Sequence, residues 1–208
     1  MGAPVASFFP ERMTAQMSSL KRYFSVVGAP RNIANATLFN LSWFAILLTQ
    51  SSIVAIAIII VHLFLHFTFI ANVRREGLLI ASVALIGALL DQLMFALGVF
   101  TLNGQAALAP LWLACLWPAF ATTLRHAFAF LQDKPYAAAL FGAVGGALSY
   151  VAGVRLTDVE FGSPLWGPVV VGLCWAVLFP LLLKLAAPRV SRVDPLQSWE
   201  PSARRVYK

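Results

Sequence analysis

The chain predicts an all-α fold: a polytopic membrane bundle of six transmembrane helices with both termini in the cytoplasm. Three observations predict it. Hydrophobic residues make up 60% of the 208 and charged residues only 11%, with a mean hydropathy of +0.81; soluble domains run nearer half apolar and a quarter charged. The apolar residues gather in six runs, at about 35–50, 52–72, 78–100, 107–131, 136–156 and 164–186. A helix needs roughly 20 residues, at ~1.5 Å rise each, to cross a hydrocarbon core of ~30 Å. With six crossings, every one of the 15 Lys and Arg residues except Arg155 falls on the side of the termini, as the positive-inside rule requires of a cytoplasmic face.

Residues 1–34 form a polar leader without the apolar core or cleavage site of a signal peptide. Met13, Met17, Leu20, Phe24 and Val27 recur at helical spacing, with Arg12, Lys21 and Arg22 largely off that stripe. The pattern reads as an amphipathic helix on the membrane surface, with Met13 and Met17 as alternative starts and an organellar transit peptide as a weaker reading. The six-helix domain follows over 35–186. Only Gln50-Ser51-Ser52 separates the first two runs, with neither Pro nor Gly to force a turn. A re-entrant first segment, or one long helix giving five crossings, are the alternatives. Five crossings would place the basic tail opposite Arg74 and Arg75, so six is preferred. The tail, 187–208, is basic and Pro-interrupted, suited to the vicinity of anionic headgroups.

Ionisable residues inside membrane helices are functional candidates by default. Asp91, in LLDQLMFALGVF, sits near the middle of the third run, and His62 of the second run is expected at similar depth, roughly 15 Å from the outer face by helical rise. His66 lies one turn from His62 on the same face. A metal site is not expected; the weak alternative joins His62, His66 and His126. In the fourth run, APLWLACLWPAFATTLRHAFAFL, Pro118 should kink the helix, and Thr122 and His126 share a face. Arg125 suits either snorkelling or an anion such as a lipid phosphate. Candidate catalytic residues are thus Asp91 and His126, and candidate ligand-binding residues His62, Thr122, Arg125 and Tyr150.

The fifth run carries Gly142 and Gly146 as a GxxxG and Gly145, Ser149 and Gly153 as a second small stripe. Both read as close helix packing, within the chain or in a homodimer. Cys115 and Cys174 lie inside apolar runs, against a disulfide or zinc ribbon. There is no P-loop, GxSxG, HExxH, CxxC or selectivity-filter repeat. No cofactor is called for. The positive charge is scattered over helix ends rather than gathered on one face, which excludes nucleic acid as a partner.

The ordered elements FNLSWF, LLDQLMFALGVF, APLWLACLWPAFATTLRH, GAVGGALSYVAGVRL and CWAVLFPLLLKL resemble the bacterial inner-membrane proteins grouped as DUF2878, over about residues 35–186. The resemblance implies a multi-pass protein of the bacterial inner (cytoplasmic) membrane and, through a loose association with lipid-modifying enzymes, a tie to lipid metabolism. It transfers no catalytic residue. The function expected first is a non-catalytic component of a lipid-modification or envelope-stress system, with the lipid bilayer and a soluble lipid-modifying enzyme as partners. A small proton-coupled carrier using Asp91 and His62 comes second. An intramembrane lipid-modifying enzyme, with Asp91, His126 and Arg125 as acid, base and phosphate anchor, comes third.

Overall fold

The computed structural model describes residues 30–187; the leader helix and the tail lie outside them. Five long apolar helices are present: α1 (Pro30–Thr49), α2 (Ser52–Phe69), α3 (Val73–Ala96), α6 (Pro135–Leu156) and α7 (Trp166–Ala186). Between α3 and α6 lie two short helices, α4 (Leu111–Ala114) and α5 (Leu116–Ala121), and a 3-10 turn at Ala129–Leu131. The side chains obey a bilayer rather than water. Ile53, Leu78 and Leu173 are among many large apolar residues left open at the surface, at 82%, 84% and 66% exposure, while His62, His66 and Asp91 are buried within. Only a hydrocarbon solvent makes that arrangement favourable. The chain is an all-α membrane helix bundle.

The first two runs are separate helices, neither re-entrant nor continuous. Gln50 takes a left-handed backbone, φ 47°, and the Ser51 side chain caps α2 by accepting from Val54 N. A left-handed residue followed by a capping serine turns the chain without glycine or proline. Hydrogen bonds show which loops share an end. The Gln50 side chain accepts from Asp158 N at 2.9 Å, joining the α1–α2 turn to the α6–α7 connection. At the opposite end Arg125 Nε donates to Ala186 O at 2.8 Å, and its Nη1 donates to Arg75 O.

Two expectations need correction. The third run does not stay helical to residue 100. α3 ends at Ala96, Gly98 turns the backbone at φ 68°, and Phe100–Leu102 forms β1. It pairs antiparallel with β2, Val159–Phe161, in the register Phe100↔Phe161, Thr101↔Glu160 and Leu102↔Val159. This ribbon roofs one end of the bundle, Phe100 reaching in to stack on Tyr150 with ring centroids 5.2 Å apart. The signal was available: Asn103-Gly104 takes the left-handed pair of φ angles, 49° and 71°, of a hairpin turn.

The fourth run, expected as one kinked helix, is instead broken. After Ala121 the chain continues through i→i+3 bonds such as Leu124 N to Ala121 O and His126 N to Thr123 O. Irregular backbone at membrane depth persists only where other groups complete it. Here Asn35 Nδ2 donates to Thr122 O at 3.2 Å and Gln132 Nε2 to Leu124 O at 3.0 Å. Pro118 has no N–H to give the carbonyl of Ala114, which fits the earlier interruption at Cys115, between α4 and α5.

α6 and α7 form the tightest pair. A Cβ on Gly142 would lie 2.5 Å from Trp175 O, and one on Gly146 2.3 Å from Trp175 Cγ. The GxxxG face is therefore filled by α7 of the same chain. Gly145, Ser149 and Gly153 remain on the side of α6 that looks toward α1.

Candidate functional site

Asp91 anchors the first of two polar centres. Its carboxyl is buried at 1% exposure and accepts two hydrogen bonds, from Trp117 Nε1 to Oδ2 at 2.6 Å and from Tyr150 OH to Oδ1 at 2.8 Å. The donors come from α5 and α6, so three helices meet on one side chain. The indole of Trp117 can reach because α3 presents Gly87, one turn before Asp91, beneath it. A Cβ at Gly87 would lie 1.8 Å from Trp117 Cδ2. On its other side the indole stacks on Trp175, 5.4 Å between centroids and 3° between planes.

These residues line a cavity of about 90 Å³ in which Asp91, Ser149, Tyr150 and Thr157 are the polar groups among Phe39, Trp43, Phe100, Trp112, Trp117, Phe120 and Trp175. A second cavity, of about 400 Å³, adjoins it and shares Phe39, Trp43, Phe120, Ser149 and Trp175. It continues along Ala36 and Asn40 of α1 and Gly145, Gly142 and Phe141 of α6. Together they make a mostly apolar groove between α1 and α6, with Asp91 and Tyr150 at the ribbon end and Asn40 and Thr123 further along. Thr157 and Phe141, near its two extremes, are roughly 24 Å apart along α6 by helical rise, longer than one leaflet of ~15 Å.

The second centre lies at the other end. His66 Nε2 is 3.0 Å from Glu76 Oε2, and His126 Nε2 is 3.1 Å from Glu76 Oε1. The ligand atoms of these three residues all lie within 4.8 Å of one another. Just inside it, His62 is held by Ser42 Oγ at 2.8 Å and Thr122 Oγ1 at 3.1 Å. Asn35 Nδ2 also reaches Thr122 Oγ1, at 3.3 Å.

Several expected groupings do not form. Asp91 and His62 are not at matched depth: Asp91 is five residues from the end of α3, roughly 8 Å, and His62 ten residues from the start of α2, roughly 15 Å. Ending α3 at Ala96 rather than residue 100 accounts for the difference. His126 bonds Glu76, and Glu76 is fifteen residues from Asp91 on α3, roughly 22 Å. Asp91 and His126 thus belong to different sites. Tyr150 and Asp91 are brought together; Thr122 serves the His62 cluster. The guanidinium of Arg125 is directed at the main-chain carbonyls of Ala186 and Arg75, so it ties the ends of α3 and α7 together. His62 is not in the His66 and His126 group; Glu76 takes its place.

Glu76 was missed because it follows Arg74 and Arg75 and resembles a loop charge. Yet Glu76, Ile80, Val83, Gly87, Asp91 and Met94 are all buried at 3- and 4-residue spacing on α3, and that stripe was legible in the sequence.

A bundle of apolar helices with buried polar centres defines a multi-pass integral membrane protein. The family model described as a protein of unknown function (DUF2878) matches residues 32–181, and the chain belongs to that family. No curated protein and no solved structure matches the chain.

Proposed function

We propose that this protein binds a single membrane amphiphile in the α1–α6 groove and thereby serves as a non-catalytic component of a lipid-modification or envelope-stress system. The observation that carries the reading is the groove's lining. Its walls are aromatic and aliphatic along most of their length, with the Asp91 and Tyr150 pair at the ribbon end and Asn40 and Thr123 further along. Pockets of this kind fix orientation with a few polar groups and gain affinity from apolar area. The acceptor character of the Asp91 carboxyl favours a headgroup that donates hydrogen bonds, a hydroxyl or an amine. The small residues Gly145 and Ser149 leave the groove wall low where an acyl chain would lie.

The location we propose is the bacterial inner membrane with both termini cytoplasmic. The charge asymmetry supports it, since Arg155 alone among the basic residues of the described segment belongs to the ribbon end. The headgroup would then sit in the non-cytoplasmic half of the bilayer. A small proton-coupled carrier is the second reading, favoured by a buried carboxyl beside a cavity. An enzyme using Asp91 with His126 finds no support in their separation.

Mass spectrometry of total membrane lipids tests the reading, in a strain lacking the gene and in strains restored by wild type or by Asp91→Asn. A lipid species that changes in the deletion and is corrected by wild type supports it. Unchanged lipids under all conditions would remove the lipid role and leave the carrier first.

A further inference from the structure

We infer that His66, Glu76 and His126 form a binding site for one divalent transition-metal ion of the zinc class, at the opposite end of the bundle from the groove. The three donors come from three separate elements: α2, the first turn of α3 and the irregular segment after α5. Two imidazoles and one carboxylate are the donor set of zinc sites that keep an open position, and of several iron sites.

Two of the three separations fit. Ligands of a tetrahedral ion at ~2.0–2.1 Å stand roughly 3.3 Å from one another, and His66 Nε2 and His126 Nε2 stand 3.0 and 3.3 Å from Glu76 Oε2, with all the ligand atoms within 4.8 Å of one another. Cations are close by, yet among the described residues the ion-pair partners of Glu76 are both histidines. Arg125, the neighbour of His126, is committed to the carbonyls of Ala186 and Arg75. A carboxylate that only needed neutralising would be better served by a guanidinium. The site also has a way in. His66 is fully buried, but the His126 side chain is 15% exposed, which leaves water a route to a fourth position.

The irregular segment gains a reason from this. A regular helix through 122–128 would carry His126 on a fixed face, whereas the i→i+3 turns bring it onto the carboxylate of α3. Glu76 at the start of α3 and His66 near the end of α2 flank a connection of only Ile70–Asn72, so two of the three donors are held by one short turn.

The test uses the full-length protein purified in mild detergent, stripped with chelator and titrated with Co²⁺ followed by its visible absorption, then with Zn²⁺ as competitor. One Co²⁺ should bind per chain with a spectrum of few-coordinate nitrogen and oxygen ligation, and Zn²⁺ should displace it. Glu76→Gln and His126→Ala should each weaken binding by more than about 100-fold, beyond the ~10–100-fold typical of losing a group that only supports a ligand. Glu160→Gln, in the ribbon at the other end of the bundle, should bind as wild type. Stripped wild type, which keeps every side chain, shows by its elution profile whether the fold survives without metal. If a variant aggregates, loss of the Co²⁺ spectrum when wild-type histidines are modified with diethylpyrocarbonate, and protection by Zn²⁺, decides the matter. Absence of stoichiometric Co²⁺ binding by wild type, or equal binding by folded Glu76→Gln, overturns the inference.

Discussion

Trp117 donates its indole N–H to Asp91 Oδ2 at 2.6 Å while lying flat over Gly87, one turn earlier on the same helix. A glycine and an acid four residues apart on α3 are thus two halves of one receptor for a side chain of α5. Tyr150 completes it from α6 with a 2.8 Å bond to Oδ1. Three helices are locked together at the ribbon end of the groove.

Asp91→Leu should destabilise more than Asp91→Asn. An amide keeps an acceptor oxygen for one of the two donors, while leucine leaves the Trp117 N–H and Tyr150 O–H buried without a partner. Each interhelical bond in a membrane contributes ~0.6–2 kcal/mol, so the leucine variant should lose roughly twice what the asparagine variant loses. Thermal unfolding in detergent, followed by tryptophan fluorescence, compares them. Equal melting temperatures would show that the two bonds add nothing.

Gly87→Ala should cost ~1–3 kcal/mol, the usual range for overpacking, because its Cβ would meet the Trp117 ring at 1.8 Å. Combined with Trp117→Leu, the same change should be nearly free. A double-mutant cycle with no coupling between the two positions would contradict the packing.

Substitutions on the two small stripes of α6 should separate cleanly. Gly146→Leu drives a side chain into Trp175 and should disrupt the α6–α7 pair, lowering the yield of folded protein. Gly145→Leu faces open groove, where Phe141 is the nearest contact at 3.6 Å, and should fold normally. Size-exclusion profiles read the difference; matching behaviour of both variants would refute the assignment of the two faces.

Arg125→Ala should loosen the end opposite the ribbon by ~1–3 kcal/mol, since it strips donors from the carbonyls of Ala186 and Arg75. Arg125→Lys should restore only part, as an ammonium lacks the planar fork that reaches both at once. Hydrogen exchange of the last turn of α7 would report it. A fully rescued lysine variant would point to charge alone.

Single cysteines placed at Gln105 and at Asp133, in a chain lacking Cys115 and Cys174, should label oppositely in intact cells. A membrane-impermeant thiol reagent should reach residue 105, in the turn after β1, and should not reach 133. The reverse pattern would invert the proposed orientation.

The bounds of α2, α6 and α7 were legible from the apolar runs to within about three residues, whereas α1 and α3 begin five residues before their runs and α3 ends four before. Polar and charged first turns, which carry Arg31 and Arg74, hide the starts of α1 and α3 from a reading of apolar extent. The course of 122–131 was not legible. Its turns depend on Asn35 and Gln132 arriving from elsewhere to complete the backbone, and no local periodicity encodes that. The sites were legible as single residues and not as groups. Asp91 and Tyr150 could be named, but nothing local marks Trp117 as the partner of Asp91 or joins Glu76 to His66 and His126. Which polar residues meet depends on helix order and depth, and α3 ends four residues short of its apolar run, which sets Asp91 nearer the ribbon end than His62.

The most direct test of the account is to ask what the groove holds. Wild-type protein and the double variant Gly145→Leu, Ser149→Leu, purified side by side in mild detergent, would be analysed by native mass spectrometry with release and identification of any bound lipid. Wild type should carry one amphiphile per chain, with a hydroxyl or amine headgroup, and a folded double variant should have lost it. Equal lipid occupancy in both, or a wild type that carries no lipid across mild extractions, would contradict it.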